Sequence, residues 1–123
     1  MALRIASITF DCSNPRSLAQ FWASALGFKS SGDSNEDVAI VEDPRDQDAE
    51  LVFVRVPESR TVKNRVHLDL GSNDMEAEVQ RLTDLGAERV GRVKEWTVMR
   101  DPEGNEFCVL QISADDPVEK WRC

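Results

Sequence analysis

Asn64-Arg65-Val66-His67-Leu68-Asp69-Leu70-Gly71 carries the one histidine in a chain of 123 residues. Val66, Leu68 and Leu70 alternate with Arg65, His67 and Asp69. That is the period of a strand which buries one face and shows three polar groups on the other. Such a polar face either lies in water or lines a binding cavity, and the flanking sequence decides between them.

Downstream, Asn73 is placed to cap a helix, with Glu76 as the reciprocal half of a capping box. Met75, Val79, Leu82 and Leu85 form its apolar stripe, and Gly86 ends it. The chain before residue 64 runs the same way. Leu3–Cys12 reads as a strand, with Ile8, Phe10 and Cys12 on one side and Ser7, Thr9 and Asp11 on the other. Asn14 caps the next helix, and Pro15 takes its first position, where the missing N–H does no harm. Leu18, Phe21, Trp22, Ala25 and Leu26 share one helical face, Phe21 and Trp22 reading as core, and Gly27 closes the helix. Ser13-Asn14 and Leu26-Gly27 recur as Ser72-Asn73 and Leu85-Gly86, all at an offset of 59. The chain therefore reads as an internal duplication.

Further strands fall at Val38–Val41 and Leu51–Val56 in the first half, and at Arg89–Val93, Glu95–Arg100 and Glu106–Ile112 in the second. Ser30–Asn35 is a turn cluster, Asp43–Asp48 a solvated charged turn around Pro44, and Pro57–Lys63 a connector. Asp101-Pro102-Glu103-Gly104-Asn105 is a tight reversal, in which Pro presets φ and Gly supplies φ > 0. The tail Ser113–Cys123 is polar except for Val118 and Trp121 and reads as a docked extension. The fold class is α+β: two βαβββ units, about 1–57 and 63–112, in a single domain spanning 1–123. Neither unit is large enough to bury both faces of its sheet alone. Pairing them, with helices outside and two curved sheets around a central cavity, solves that. Ser7, Thr9 and Asp11 then face the same space as Arg65, His67 and Asp69, which favours a cavity over a solvated face.

Composition excludes several function classes. With 41% apolar and 31% charged residues the chain reads as globular. A net charge of −8 argues against nucleic-acid and anionic-membrane partners, which want clustered Lys and Arg. No apolar run reaches the roughly 18 residues of a membrane span. Thr9, Asp11, Ser13 and Asn14 interrupt any apolar run near the N-terminus, so no signal peptide is expected. Cys12, Cys108 and Cys123 are odd in number and lack a C-x-x-C spacing, which points to neither a disulfide framework nor a zinc motif. The expected location is the cytoplasm.

Asp11-Cys12-Ser13-Asn14-Pro15, Leu18-Ala19-x-Phe21-Trp22, Leu26-Gly27, Lys63 through Leu70, and Trp96 through Cys108 around the Asp-Pro-Glu-Gly-Asn-Glu-Phe hairpin resemble a glyoxalase-like protein. That is the vicinal-oxygen-chelate superfamily, which also holds extradiol dioxygenases, fosfomycin-resistance enzymes and bleomycin-binding proteins. The resemblance runs from residue 1 to about 112. It implies a cavity in which a divalent metal, held by His and Glu side chains from both units, acts as a Lewis acid on a chelating substrate. Position by position, it maps the metal ligands onto Ser7, His67 and Cys108. A fourth falls among Glu50, Val52 and Phe53, of which only Glu50 could bind a metal. Ser7 is a poor ligand, and Cys108 is a soft one that suits zinc better than magnesium, manganese or nickel. The metal candidates are therefore His67 and Glu50, but so reduced a ligand set argues against a divalent metal, and no cofactor is expected.

The remaining candidates follow from residue chemistry. His67 can act as a general base or substrate partner tuned by Asp69 or Asp11, or can simply be hydrogen-bonded in place. Cys108 can be a nucleophile if Arg65 or His67 stabilises its thiolate, or a small core residue. Trp96 and Arg100, on one strand face, can stack on and clamp an anionic ligand or cover an edge strand. Ser7, Thr9, Arg65, Trp96, Arg100 and Cys108 are the expected substrate-binding residues, and His67, Asp69 and Asp11 the catalytic ones. Two functions stay open. One is a metal-independent lyase or isomerase of glyoxalase type acting on a small carbonyl or oxygenated compound. The other is non-enzymatic sequestration, as bleomycin-binding relatives perform. The expected partners are a small-molecule ligand and a second copy of the chain in a homodimer.

Overall fold

The structure, a computed structural model, describes residues 3–32, 34–113 and 115–116. Val118 and Trp121 of the tail lie outside the described residues. Two compact units divide the chain, Met1–Ser59 and Arg60–Cys123. Each holds one helix and one four-stranded mixed sheet, as an α+β chain should.

In the first unit, β1 (Ser7–Cys12), β2 (Lys29–Ser30), β3 (Val38–Glu42) and β4 (Glu50–Arg55) form a sheet in the order β1-β4-β3-β2, with β1 parallel to β4. The helix α1 (Pro15–Leu26) starts as its sequence dictates. Asn14 Oδ1 accepts from Ser17 N at 3.3 Å, Pro15 takes the first turn, and Gly27 ends the helix in the left-handed region at φ 70°. Leu18, Phe21 and Trp22 are buried on the helix face that meets the sheet. Trp22 lies 5.7 Å from the Phe10 ring, edge-on to Phe21 at 5.3 Å, and Phe10 continues the stack to Phe53 at 5.1 Å. The Phe21-Trp22 pair is thus core. Ser7, Thr9 and Asp11 stay on the opposite face of β1. The expected strand from Leu3 begins only at Ser7, leaving Leu3 and Ile5 exposed. The two-residue β2 falls where only a turn was expected.

In the second unit, β5 (Leu68–Ser72), β6 (Glu88–Val93), β7 (Trp96–Arg100) and β8 (Glu106–Gln111) take the order β5-β8-β7-β6, with β5 parallel to β8. Helix α2 (Met75–Asp84) buries Met75, Val79 and Leu82. These meet a layer containing fully buried Met99, Phe107 and Thr97, whose hydroxyl lies 3.5 Å from Met75 Sδ. Three sequence expectations change here. The cap is Asp74, which accepts from Ala77 N at 3.2 Å, and not Asn73. Gln111 explains why: it accepts from Met75 N at 2.9 Å and donates to Asn73 O at 2.8 Å, which sets Asn73 one residue outside the helix. Leu85 sits at the helix C-cap, 39% exposed, and does not extend the buried stripe. Val66 is 77% exposed because the chain is not yet paired there; β5 begins at Leu68.

Both units close their parallel-paired strand with an Asp-Pro turn whose aspartate is buried. Asp101 Oδ1 accepts from Glu103 N at 2.9 Å and Asn105 N at 3.0 Å. Asp43 accepts from Arg45 N, Gln47 N and Asp48 N at 2.9–3.1 Å. The Arg45 N–H bond leads in holding the Asp43 carboxyl down at about 2, outweighing the upward push of burial, with the Asp48 and Gln47 N–H groups adding to it. The charged run at 43–48 is therefore organised around a buried acid.

Candidate functional site

The strand registers define two equivalent faces. In the second unit Asp69 stands opposite Cys108, Cys108 opposite Val98, and Arg100 opposite Glu106. In the first unit Thr9 stands opposite Val52, and Ser7 opposite Glu50. A polar residue stands seven positions before each helix cap: Ser7, the first residue of β1, before Asn14, and His67, just ahead of β5, before Asp74. The first unit's counterparts of His67, Asp69 and Cys108 are thus Ser7, Thr9 and Val52. The doubtful position in β4 is Val52, and Glu50 is the counterpart of Glu106.

His67, Asp69 and Cys108 converge, each offering a donor atom within 4.8 Å of the others. His67 Nε2 lies 3.1 Å from Asp69 Oδ1. The cluster opens to one side: the His67 side chain is 37% exposed and that of Asp69 22%, while Cys108 is buried at 4%. Beside Cys108 the face turns apolar, since Leu110 and Ile112 are buried with it and Trp96 and Val98 pack against the group. The sheet supplies a polar end and an apolar end on one surface.

A polar relay that sequence reasoning missed anchors the segment leading to His67. Arg60 Nη2 bonds both Glu106 carboxylate oxygens, with the contact to Oε2 at 2.8 Å. Arg60 Nε donates to Asn64 Oδ1 at 3.0 Å, Asn64 Nδ2 to Asn105 Oδ1 at 2.9 Å, and Asn105 Nδ2 to Asp101 Oδ2 at 2.8 Å. Burial alone would raise the Glu106 carboxyl, but the Arg60 guanidinium and backbone N–H groups outweigh it and hold it below the usual carboxylate range. The signal was present in the sequence only as an Asn in a basic connector and an Asn in a hairpin.

The other candidates are placed within their own units. Arg65 is exposed in the connector just ahead of β5. Arg100 Nη1 is engaged by Glu88 Oε1 at 3.0 Å, so its guanidinium is already paired across the sheet. Ser7, Thr9, Asp11 and Glu50 belong to the first unit. There a cavity of about 510 Å³ is lined by Arg4, Glu42, Asp43 and Glu50 among others.

Two mixed four-stranded sheets, each backed by a helix and each in βαβββ order, place the protein in the α+β class. More narrowly, residues 7–110 match the family model of the glyoxalase-like domain, and the chain belongs to that family. No curated protein matches the sequence. The fold is that of the vicinal-oxygen-chelate superfamily. A possible glyoxalase from Bacillus cereus superposes with a TM-score of 0.70 at 18% identity, covering 89% of this chain and 99% of that one. The bleomycin-binding protein of Streptomyces verticillus, solved with copper(II)-bleomycin, gives 0.61 at 17% identity over 92% and 99%. A mutant fosfomycin-resistance protein FosX from Listeria monocytogenes, solved with Mn(II) and 1S,2S-dihydroxypropylphosphonic acid, gives 0.71 at 12% identity over 99% and 100%.

The superfamily implies a divalent ion, and the donor set can be tested against one. Imidazole nitrogen, carboxylate oxygen and thiol sulfur around one centre with about 2.0–2.3 Å bonds stand about 3.5 Å apart. The His67–Asp69 separation of 3.1 Å is close to that, and the 4.8 Å bound on the cluster leaves about an ångström of side-chain closure. His67, Asp69 and Cys108 fit such an ion, with the exposed side open.

Proposed function

We propose that this chain binds a small oxygenated or carbonyl compound on the open face of the second sheet, at His67, Asp69 and Cys108, and moves a proton on it in the manner of a lyase or isomerase. The observation that carries this reading is the 3.1 Å contact between His67 Nε2 and Asp69 Oδ1 at the mouth of a three-donor cluster. A carboxylate that orients an imidazole and compensates its positive charge is the arrangement general acid–base catalysis uses. Trp96, Leu110 and Val98 would cover the apolar part of the ligand, and Asn64 and Arg60 would hold the His67 segment in place. Within the same reading the protein works in the cytoplasm as a homodimer, which light scattering of the purified chain tests.

A second reading, capture without turnover, is favoured by the apolar group around Cys108, which suits an aromatic compound better than a small polar one. One experiment separates them. Chelator-treated protein is screened by thermal shift against aldehydes with glutathione, catechols, fosfomycin and bleomycin. Each ligand that stabilises it is then followed by NMR for solvent-deuterium incorporation next to the carbonyl. Stabilisation lost in His67→Ala, with deuterium incorporation, supports proton transfer; stabilisation without incorporation supports capture. No stabilisation by any compound overturns both.

A further inference from the structure

We propose that the cavity at the end of the first sheet binds a guanidino acid, a small molecule with a guanidinium at one end and a carboxylate at the other. All of the residues that line it belong to the first unit, and it holds or fails independently of the ligand screen at His67.

Three stretches of the first unit end together there: residues 4–6 leading into β1, Glu42 at the close of β3, and the turn 43–49 that delivers Glu50 to β4. The volume of about 510 Å³ lies in the range of small-molecule sites. Five carboxylates line it, those of Glu42, Asp43, Asp46, Asp48 and Glu50, against one cation, Arg4. Two of the five are already engaged. Asp43 accepts from the N–H groups of its own turn and from Arg45 Nε, and Glu42 pairs with Lys29 at 3.7 Å. Among the described residues, the side chains of Asp46, Asp48, Glu50 and Arg4 make no hydrogen bond or ion pair.

Carboxylates alone would not assign a ligand, but the second unit does. Its hairpin 101–105 delivers Glu106 to β8 as the turn 43–49 delivers Glu50 to β4, and Asp101 and Asp43 are buried in the two turns. Counted back from His67 and Ser7, Asn64 corresponds to Arg4. In the second unit the equivalent place is filled from within. The Arg60 guanidinium bonds both oxygens of Glu106 and donates from Nε to Asn64, and the Arg60 and Glu106 side chains are only 32% and 9% exposed. The first unit repeats the carboxylate and leaves the space, and no described residue brings a guanidinium to Glu50. A planar fork of N–H donors matches a carboxylate and sheds water more readily than an ammonium, so a guanidinium is the cation this place selects.

Arg4 sets the rest of the ligand. Asn64 Oδ1 accepts from Arg60 Nε, whereas an arginine has nothing to accept with. Asp46 and Asp48 are the acceptors left for the N–H groups that Asn64 serves in the second unit. Arg4 repels the guanidinium end and suits an anionic one, which makes the ligand a guanidino acid and not a simple alkylguanidine.

Titration of the chain with L-arginine at about 0.15 M salt, by calorimetry and by nitrogen-15 NMR, tests this. The expected result is one equivalent bound, with shifts gathered at residues 4–6 and 42–50. Citrulline keeps the carboxylate and carries a neutral urea in place of the guanidinium. It should bind at least about tenfold more weakly, the effect of losing one charged hydrogen-bonded pair. Glu50→Gln should weaken L-arginine to a similar degree without lowering Tm, because it orphans no partner, and Asp48→Asn gives a second reading of the same effect. Arg4→Gln should weaken L-arginine but not agmatine, which lacks the carboxylate. No saturable L-arginine binding, citrulline bound as tightly, or unchanged affinity in both Glu50→Gln and Asp48→Asn overturns the proposal. So does binding of L-arginine, agmatine and L-lysine in simple proportion to their positive charge, which is the mark of a diffuse acidic surface.

Discussion

Changing Asp101 to Asn tests whether the relay from Arg60 to the β7–β8 hairpin is directional. Its two ends are fixed: a guanidinium nitrogen only donates and a carboxylate only accepts. The amides of Asn64 and Asn105 must therefore both point the way they do, each accepting from the Arg60 side and donating toward Asp101. Asp101→Asn puts a donor at both ends, and no pair of amide flips removes the mismatch. At the Asp101 end the mismatch is buried, Asp101 being 3% exposed, and flipping both amides only carries it to the Arg60–Asn64 contact. An unmatched buried polar group costs about 1–3 kcal/mol. The two bonds from Glu103 N and Asn105 N also weaken when their acceptor loses its charge, for a total of about 3 kcal/mol. For a chain of this length that lowers Tm by about 10 °C. Asn64→Asp alone should also destabilise, because it faces an acceptor with an acceptor. The double variant, Asp101→Asn with Asn64→Asp, reverses the relay consistently and should recover at least about 1.5 kcal/mol relative to the sum of the singles. Urea unfolding of the four proteins reads the cycle. Simple additivity would refute the directional relay.

Three further outcomes are expected. Asp74→Ala should cost about 1 kcal/mol in urea unfolding and Asn73→Ala distinctly less, since Asp74 accepts from the helix N–H. Asp43, held at about 2 against an ordinary 3.8, contributes stability that is fully present above about pH 4 and lost as pH falls toward 2. Asp43→Asn should therefore unfold at lower urea near neutral pH but lose less than the parent between about pH 4 and pH 2. Leu18→Ala, at a site with no exposure on α1, should cost about 2–5 kcal/mol by the same assay.

Elements with local causes were legible in the sequence. Asn14, Pro15 and Gly27 bracket α1 through contacts within four residues of themselves, so their spacing was enough. Asn73 and Asp74 are both competent caps, and what separates them is Gln111, a side chain 36 positions away from Met75. Asp43 read as solvated because its neighbours are charged, although the Asp-Pro it shares with Asp101-Pro102 was the clue that it is buried. Period-2 alternation took Val66 for a buried strand residue, but alternation does not say where pairing starts. At the site, alternation of polar residues singled out His67 and Asp69, and the family resemblance singled out Cys108. That the three meet depends on the β5–β8 register. Arg60, Asn64 and Asn105 act only through one another, and none is distinctive alone.

The registers opposing Thr9 to Val52 and Asp69 to Cys108 also make the first unit a topological counterpart of the second, with Ser7, Thr9 and Val52 where the second has His67, Asp69 and Cys108. The molecule thus contains its own recipient for a transplant. Ser7→His, Thr9→Asp and Val52→Cys would place the donor set on a matching sheet that lacks the Arg60–Asn64 brace. Comparing the two sheet faces would then separate what a backbone register can do from what its surroundings must add.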